Sequence, residues 1–331
     1  MPPTDDPRWL DAAAALGNRA RPQSRPNPAV GAIIVRHGIV VGRGWTQPGG
    51  RPHAEALALA QAGSAAKGAT LYVTLEPCAH PSPRGPACAD LVAAAGLGRV
   101  VAGCADPDPR TAGKGIARIA AAGIAIERVD CAACAASLAG YLTRSRLGRP
   151  HVTLKLALSQ DGRLAHPPGE SRWLTGEIAR NHVHAWRAKM DAIVVGSGTF
   201  NADNPKLDVR LPGIEDRCPE RWLLTRGTAP AGWRALPSPE AITTMGEAQW
   251  LMVEGGAETA RAFLAAGLVD RMMLYRAPPV IGGDLPAMPE LTADALEQAG
   301  DWTRIDQRQL GNDTLDVYER NRPCLAVGIE P

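Results

Sequence analysis

Several things are scarce in this chain of 331 residues, and each scarcity narrows what it can be. Charge of one sign is nearly absent in excess: 36 Lys and Arg face 34 Asp and Glu, a formal balance of +2. Nucleic-acid surfaces ordinarily show as a basic excess or stripe, so that class of partner is disfavoured. Aromatic residues are few, with two Phe, four Tyr and eight Trp, which leaves little for base-stacking platforms. No apolar run approaches the ~18 residues of a membrane span. The opening MPPTDDPRWL lacks the basic-then-apolar order of a signal peptide. The expectation is a soluble cytoplasmic protein that handles a small molecule, without nucleic-acid or membrane partners; self-association is compatible with it.

A disulfide framework is also missing. Seven cysteines, an odd number without a secretion signal, argue against one. Cys131 and Cys134 form a CxxC inside the Ala-rich DCAACAASLAGYL. With no second ligand pair nearby, they read as helix packing rather than a metal or redox pair. A GxGxxG is absent too, which excludes a Rossmann dinucleotide site.

Apolar content of 45% and charged content of 21% are globular values, and the length suits about two domains. From residue 28 to about 140 strands alternate with helices. AVGAIIVRHGIVVGRGW predicts a hairpin turning at His37 and Gly38, and ATLYVTL, RVVAGC and IAIERV predict strands separated by helices. Such alternation predicts an α/β layer structure over a mainly parallel sheet. The basic TRSRLGRP, 143–150, ends in Gly and Pro and marks a boundary. Beyond it HVTLKLAL, DAIVVGSG, RWLLT, WLMVEGG and DRMMLYRAP predict the strands of a second α/β domain, with helices near 176–188 and 257–266. The Pro- and Gly-rich 225–244 reads as a loop.

The chemistry of the first half gathers on RPHAEALALA and TLEPCAHPSPRGPAC. Zinc takes imidazole nitrogen and thiolate sulfur, and a catalytic zinc keeps one of four positions for water. His53, Cys78 and Cys88 offer three ligands at helix starts or strand ends, where the helix dipole favours a thiolate. On a regular helix His53 and Glu55 would lie some 200° apart, so both reach one metal only if it lies beneath the first turn. Glu55 then serves as general acid and base for the water. A structural zinc would instead need a fourth protein ligand, for which His80 is the available neighbour. HxE followed by E-P-C and a helix-opening Cys is the pattern of zinc-dependent deaminases.

In the second half WLMVEGGAETARAFL runs from a strand through Glu254 and two glycines into a helix. Glycines let a phosphate approach the backbone, and the helix start offers free N–H groups. AIVVGSGTF is a second strand ending in a Gly turn.

RPNPAVGAIIV, PHAEALAL, VTLEPCAH and DPDPRTAGKGI resemble the deaminase half of the bifunctional riboflavin-biosynthesis deaminase/reductases. KLALSQDGRLA, GESRWLTG, WRAKMDAIVVGSGTFNADNPKLDVR and VEGGAETARAFLAAGLVD resemble their reductase half. The resemblance covers nearly the whole chain. It implies a cytidine-deaminase-like zinc domain over 1–146 and a dihydrofolate-reductase-like, NADPH-dependent domain over 150–331, shortened around 226–249. It implies hydrolytic deamination of 2,5-diamino-6-(5-phosphoribosylamino)pyrimidin-4-one, then reduction of the ribosyl chain to ribityl. Asn27, His80 and Arg84 would hold the pyrimidine and its phosphoribosyl arm. Lys155, Ser171, Arg187, Leu207, Arg210 and Glu254 would hold the reductase substrate. Ala157, Trp173, Thr199, Asp203 and the stretch Gly256, Ala257, Glu258, Thr259, Ala260, Arg261 and Ala262 would touch cofactor. Alternatives are a deaminase whose C-terminal domain is catalytically silent, a nucleic-acid base deaminase, and a non-enzymatic zinc module.

Overall fold

The hairpin forms where the sequence places it. Strands β1 (Gly31–Arg36) and β2 (Ile39–Trp45) are joined by His37 and Gly38, with φ of 51° and 75°. Positive φ at both central residues is the geometry of the two-residue turns that match strand twist. The computed structural model that shows this describes residues 5–164, 173–282 and 288–321. It divides the chain into two compact units, one ending at Gly148 and the other beginning at Arg149.

In the first unit the elements run α1 (Asp6–Gly17), β1, β2, α2 (Ala54–Ala62), β3 (Thr70–Val73), α3 (Cys88–Ala94), β4 (Arg99–Ala102), α4 (Lys114–Ala121), β5 (Ala125–Arg128) and α5 (Ala132–Leu147). The sheet order is β2-β1-β3-β4-β5. It is mixed rather than mainly parallel: β1 is antiparallel to β2 and β3, while β3, β4 and β5 are parallel. A two-residue turn can only join antiparallel strands, and crossover helices serve the parallel ones. Successive strand residues face opposite sides and build two cores. Ile34, Leu71, Val73 and Val100 pack with Ala54 and Ala58 of α2; Ile33, Val35, Tyr72 and Val101 pack with Leu10 and Ala13 of α1. Gly42 and Gly44 set how closely α2 lies on β2. A β-carbon at either would stand 2.2 Å from a helix carbonyl, that of Ala58 or Ala54. This close approach fixes the start of α2 on the sheet.

The second unit carries β6 (His151–Leu158), α6 (Glu177–Arg187), β7 (Ala192–Gly196), α7 (Ser197–Asp203), β8 (Glu220–Leu224), β9 (Arg234–Leu236), β10 (Trp250–Val253), α8 (Ala257–Ala265), β11 (Arg271–Arg276), α9 (Ala293–Ala299), β12 (Trp302–Leu310) and β13 (Asp313–Arg320). The sheet order is β12-β13-β11-β6-β10-β7-β8-β9. The pairings from β11 to β9 are all parallel, and β13 runs antiparallel to β11 and β12. The central strands are apolar because both faces are covered. The segment expected to be a loop, 225–244, instead contains β9 and a 3₁₀ turn, Pro239–Thr244. Leu236 and Ile242 are fully buried there. Its Pro and Gly content hides two short elements that are held by these anchors.

Arg149 opens the second unit and is tied into it. Its guanidinium meets Asp270 through two bonds of 2.6 and 2.9 Å, and Asp270 also accepts the Val152 N–H at 2.9 Å. Burial pushes the Asp270 carboxyl up, but Arg149 and His151 outweigh burial and hold it below its ordinary value. Removing one partner of a buried pair strands the other, at a cost of about 3–5 kcal/mol. Asp270→Ala should therefore lower the free energy of unfolding by that amount, seen as a lower urea midpoint followed by Trp fluorescence. Because the folded-state pKa is depressed, this stabilisation is complete above the unfolded carboxyl pKa of about 3.9. It is lost as pH falls from there through the folded value. A midpoint unchanged by the substitution would show that Asp270 contributes nothing net.

Candidate active sites

Helix α2 begins at Ala54, and His53 is its N-cap, with extended backbone at φ −73° and ψ 165°. His53 is thus outside the helix, and the angular separation expected for two helical positions does not apply. The imidazole turns towards the loop that follows β3 while Glu55 stays in the first turn. Cys78 lies in that loop and Cys88 is the first residue of α3. His53 Nδ1 stands 3.2 Å from Cys88 Sγ and 3.6 Å from Cys78 Sγ, and the three donor atoms lie within 4.8 Å of one another. Among the described residues they are the group of His, Cys, Asp and Glu side chains that could hold a metal ion. Tetrahedral zinc at ordinary bond lengths requires N···S edges of about 3.5 Å and S···S edges of about 3.8 Å. The two N···S separations, 3.2 and 3.6 Å, lie close to the first of these edges.

The electrostatics suit it as well. The Cys88 thiol and backbone N–H both hydrogen-bond to Cys78 Sγ, the N–H at 3.3 Å, and with His53 they lower the Cys78 thiol to about 4. The same bond to Cys78, with burial, pushes Cys88 up, so the ion-free pair is one thiolate and one thiol. Burial works against a charged His53, yet Cys78 and Glu55 leave its imidazole raised. Glu55 is only 3% exposed, and burial raises its carboxyl above the ordinary carboxylate value. A poised carboxyl within reach of Cys88 is suited to carrying a proton back and forth.

The other expected residues of this unit surround the same place. Asn27 lies against Gly50, where a β-carbon would fall 1.4 Å from Asn27 Nδ2. Arg84 donates to the Gly49 carbonyl at 2.7 Å. Both therefore border the turn that leads into His53. His80 Nδ1 contacts Thr111 Oγ1 at 3.3 Å. Thr111 and Glu76 were not foreseen as site-building residues. The buried Glu76 carboxylate accepts the N–H groups of Gly113, Gly115 and Ile116 at 3.1, 3.0 and 3.2 Å. It thereby ties the start of α4 to the cysteine loop. The sequence signal for this was present: Glu76 sits in the EPC motif, and TAGKGI supplies free N–H groups at a helix start.

In the second unit β10 pairs with β6 so that Val253 meets Leu154. The next residues, Glu254 and Lys155, are consequently neighbours, with Nζ and Oε2 3.9 Å apart. Arg187 grips the same carboxylate through two bonds of 2.7 and 2.8 Å and donates to the Asp208 carbonyl at 3.0 Å. Burial opposes the charge on Glu254, but Arg187 and Lys155 outweigh it and hold the carboxyl low; burial lowers Lys155. Leu207 is buried with φ of 53°, and Arg210 pairs with Asp208 at 2.8 Å on the exposed side of this loop. Lys155, Arg187, Leu207, Arg210 and Glu254 thus form one connected group. Ser171 lies outside the described residues.

Of the residues expected at cofactor, Gly256 caps α8 and donates its N–H to Thr199 Oγ1 at 3.1 Å. The two strand ends beside it are stripped of side chains. A β-carbon at Gly196 would lie 2.1 Å from Thr259 Oγ1, and one at Gly255 2.6 Å from Thr259 Cβ. Both places are filled by the Thr259 side chain, so these glycines let α8 pack closely on the strand ends, while the helix start itself is of the kind that binds phosphate. Ala257 and Ala260 face the core, Thr259 is buried, Ala262 is half-buried, and Glu258 and Arg261 are exposed, Arg261 beside Glu290. Ala157 is half-buried on β6, Asp203 ends α7 in the open, and the 52%-exposed Trp173 ring lies under the Arg180 guanidinium. Asp161, two residues after Ser159, accepts with its carboxylate from the Ser159 hydroxyl and from the N–H groups of Ile281 and Gly282.

Comparison with known proteins falls on these same two halves. Residues 3–104 match the cytidine and deoxycytidylate deaminase zinc-binding region, and residues 150–234 and 236–314 match the RibD C-terminal domain. The riboflavin biosynthesis protein RibD of Escherichia coli K12 is 36% identical, over 94% of this chain and 98% of its own. A solved structure of Acinetobacter baumannii RibD has a TM-score of 0.83 at 36% identity, covering 96% of this chain and 99% of the other. A diaminohydroxyphosphoribosylaminopyrimidine deaminase/5-amino-6-(5-phosphoribosylamino)uracil reductase from Thermotoga maritima gives 0.83 at 27% identity, covering 95% and 98%. The similarity spans both units at once and not only the zinc motif: the chain belongs to the RibD family of riboflavin biosynthesis, bifunctional enzymes that join a zinc-dependent deaminase to an NADPH-dependent reductase.

Proposed function

We propose that the first unit, residues 1–146, deaminates 2,5-diamino-6-(5-phosphoribosylamino)pyrimidin-4-one, and that the second, 150–331, reduces the ribosyl chain of the product to ribityl. The observation that carries the reading is the convergence of His53, Cys78 and Cys88 beside a buried Glu55. His53 and the two cysteine thiolates would hold zinc, which when bound supplies Lewis-acid activation of water at neutral pH. Glu55 would carry the two protons of the attacking water in turn, one to the ring nitrogen and one to the departing ammonia. Asn27 and His80 orient the pyrimidine, and Arg84, at the rim, meets the phosphoribosyl arm. Near-neutral charge supports a small cytoplasmic metabolite rather than a nucleic acid as substrate.

In the second unit NADPH would lie with its phosphates on the Gly256 helix start, supplying the hydride. The backbone N–H groups there, rather than the inward Ala260 side chain, make the contact. Lys155 and Glu254 meet the sugar, and Arg210 its phosphate. The exposed Arg210–Asp208 pair is worth only ~0–1 kcal/mol, so a phosphate can displace Asp208 readily.

Protein purified without chelator should carry zinc, and Cys88→Ala should lose it, read by elemental analysis; full retention in the variant removes Cys88 from the site. Glu55→Gln should keep zinc and slow ammonia release by ~10²–10⁴. NADPH oxidation on pre-deaminated substrate should continue unchanged, and a parallel fall in both activities would make Glu55 structural.

Arg210→Ala should weaken binding of the reductase substrate roughly 10- to 150-fold, the worth of a charged hydrogen bond of about 1.5–3 kcal/mol. NADPH affinity should stay the same. Titrating the two ligands separately tests this, and unaltered substrate affinity would return Arg210 to the surface.

A further inference from the structure

Three further cysteines of the first unit gather in one place. Cys104 follows β4, Cys131 and Cys134 begin α5, and all three share a cluster with Leu10 and Val101. Cys131 is the N-cap of α5. Its backbone is extended, at φ −131° and ψ 107°, and its Sγ accepts the Cys134 N–H at 3.2 Å. A Ser or Asp oxygen ordinarily fills this position, satisfying a donor that the helix leaves over. Cys134 is fully buried, its sulfur 3.6 Å from the Leu10 carbonyl and 2.5 Å from where a β-carbon at Gly103 would be. Cys131 is half-exposed. One sulfur is presented to solvent, and its partner is held in contact behind it.

We propose that Cys131 and Cys134 form a thiol–disulfide exchange site for low-molecular-weight disulfides, in which Cys131 attacks and Cys134 resolves. The Cys131 thiolate forms a bond to one sulfur of the small disulfide, whose S–S bond breaks and releases a first small thiolate with the electron pair. Cys134 gives up its proton to that thiolate and attacks the Cys131 sulfur, expelling the second small thiolate, which takes up the proton lost by Cys131. Two protein thiols lose two electrons in all, and one small disulfide becomes two thiols. The chemistry of the pair is divided accordingly. The hydrogen bond from Cys134 and the backbone N–H groups of the helix start lower Cys131 to about 7, although Asp11, 3.7 Å away, opposes this. The bond to Cys131 and burial push Cys134 up, and burial raises Cys104 to about 12. Lack of a second ligand pair speaks against a metal at this CxxC, but an exchange site needs none.

The test uses the full-length, zinc-loaded protein treated with glutathione disulfide, then alkylated and mapped by peptide mass. The expected product is a Cys131–Cys134 disulfide that dithiothreitol reverses. At pH 7 a thiol of pKa about 7 is about half ionised against about 3% for an ordinary one. Allowing for its lower intrinsic nucleophilicity, Cys131 should react roughly 3-fold faster than an ordinary free thiol such as N-acetylcysteine. Cys134→Ser should stop at a glutathione adduct on Cys131, and Cys131→Ser should leave Cys134 unmodified. A persistent Cys131 adduct in the wild type overturns the proposal, as does reaction at Cys218 while Cys131 and Cys134 stay reduced.

Discussion

Burying a carboxyl, an imidazole and two thiols in mutual contact is unfavourable in a medium with little water, and the first unit is organised around bearing that cost. Burial does raise the Glu55 carboxyl, whereas at His53 it is outweighed by Cys78 and Glu55, and Cys88 and His53 lower the Cys78 thiol. The donor set is thereby matched to a cation. It depends in turn on remote packing. Gly42 and Gly44 let α2 lie on the sheet, which sets His53. The Glu76 carboxylate fastens α4 to the loop that bears Cys78.

The second unit handles buried charge differently. Glu254 is matched by Arg187 and Lys155 from within the protein, so its carboxylate is compensated in advance. Arg187 acts as the strap, since the same guanidinium holds the Asp208 carbonyl and with it the loop that carries Arg210. A planar fork can make these contacts together, and a lysine at 187 could not. Lys155 lies beside the same Glu254 carboxylate, its Nζ 3.9 Å from Oε2.

Much of this was legible in the sequence, for stateable reasons. The zinc residues were readable because metal geometry restricts both residue type and spacing. The hairpin was readable because His37-Gly38 sits between two apolar runs. The orientation of His53 was not, because whether a residue caps a helix or belongs to its first turn depends on one ψ angle. Glu76 and Thr111 stayed hidden as builders of the site, since their partners lie more than 30 residues away. Strand β9 was hidden by the Pro- and Gly-rich composition around it. The hairpin of β12 and β13 was overlooked because its residues are largely polar and half-exposed on β12.

The two units have different sheets, yet each places its chemistry at the same kind of location. The cysteine loop follows β3, and the stretch holding Thr111 follows β4; Glu254 and the Gly196 and Gly255 turns follow β10 and β7. These are the carboxyl ends of parallel strands, where open α/β sheets generally bind ligands. The physical reason is visible in both. A strand ending there hands over to a helix whose first N–H groups lack partners, so the rim is lined with donors and a positive dipole end. In the first unit those donors go to Cys78 sulfur and the Glu76 carboxylate. In the second the Gly256 N–H goes to Thr199 Oγ1, and Gly196 and Gly255 let Thr259 pack against the strand ends. The same backbone feature therefore serves a thiolate in one unit and is suited to a phosphate in the other, and what distinguishes the two is which side chains the sequence puts at the strand ends.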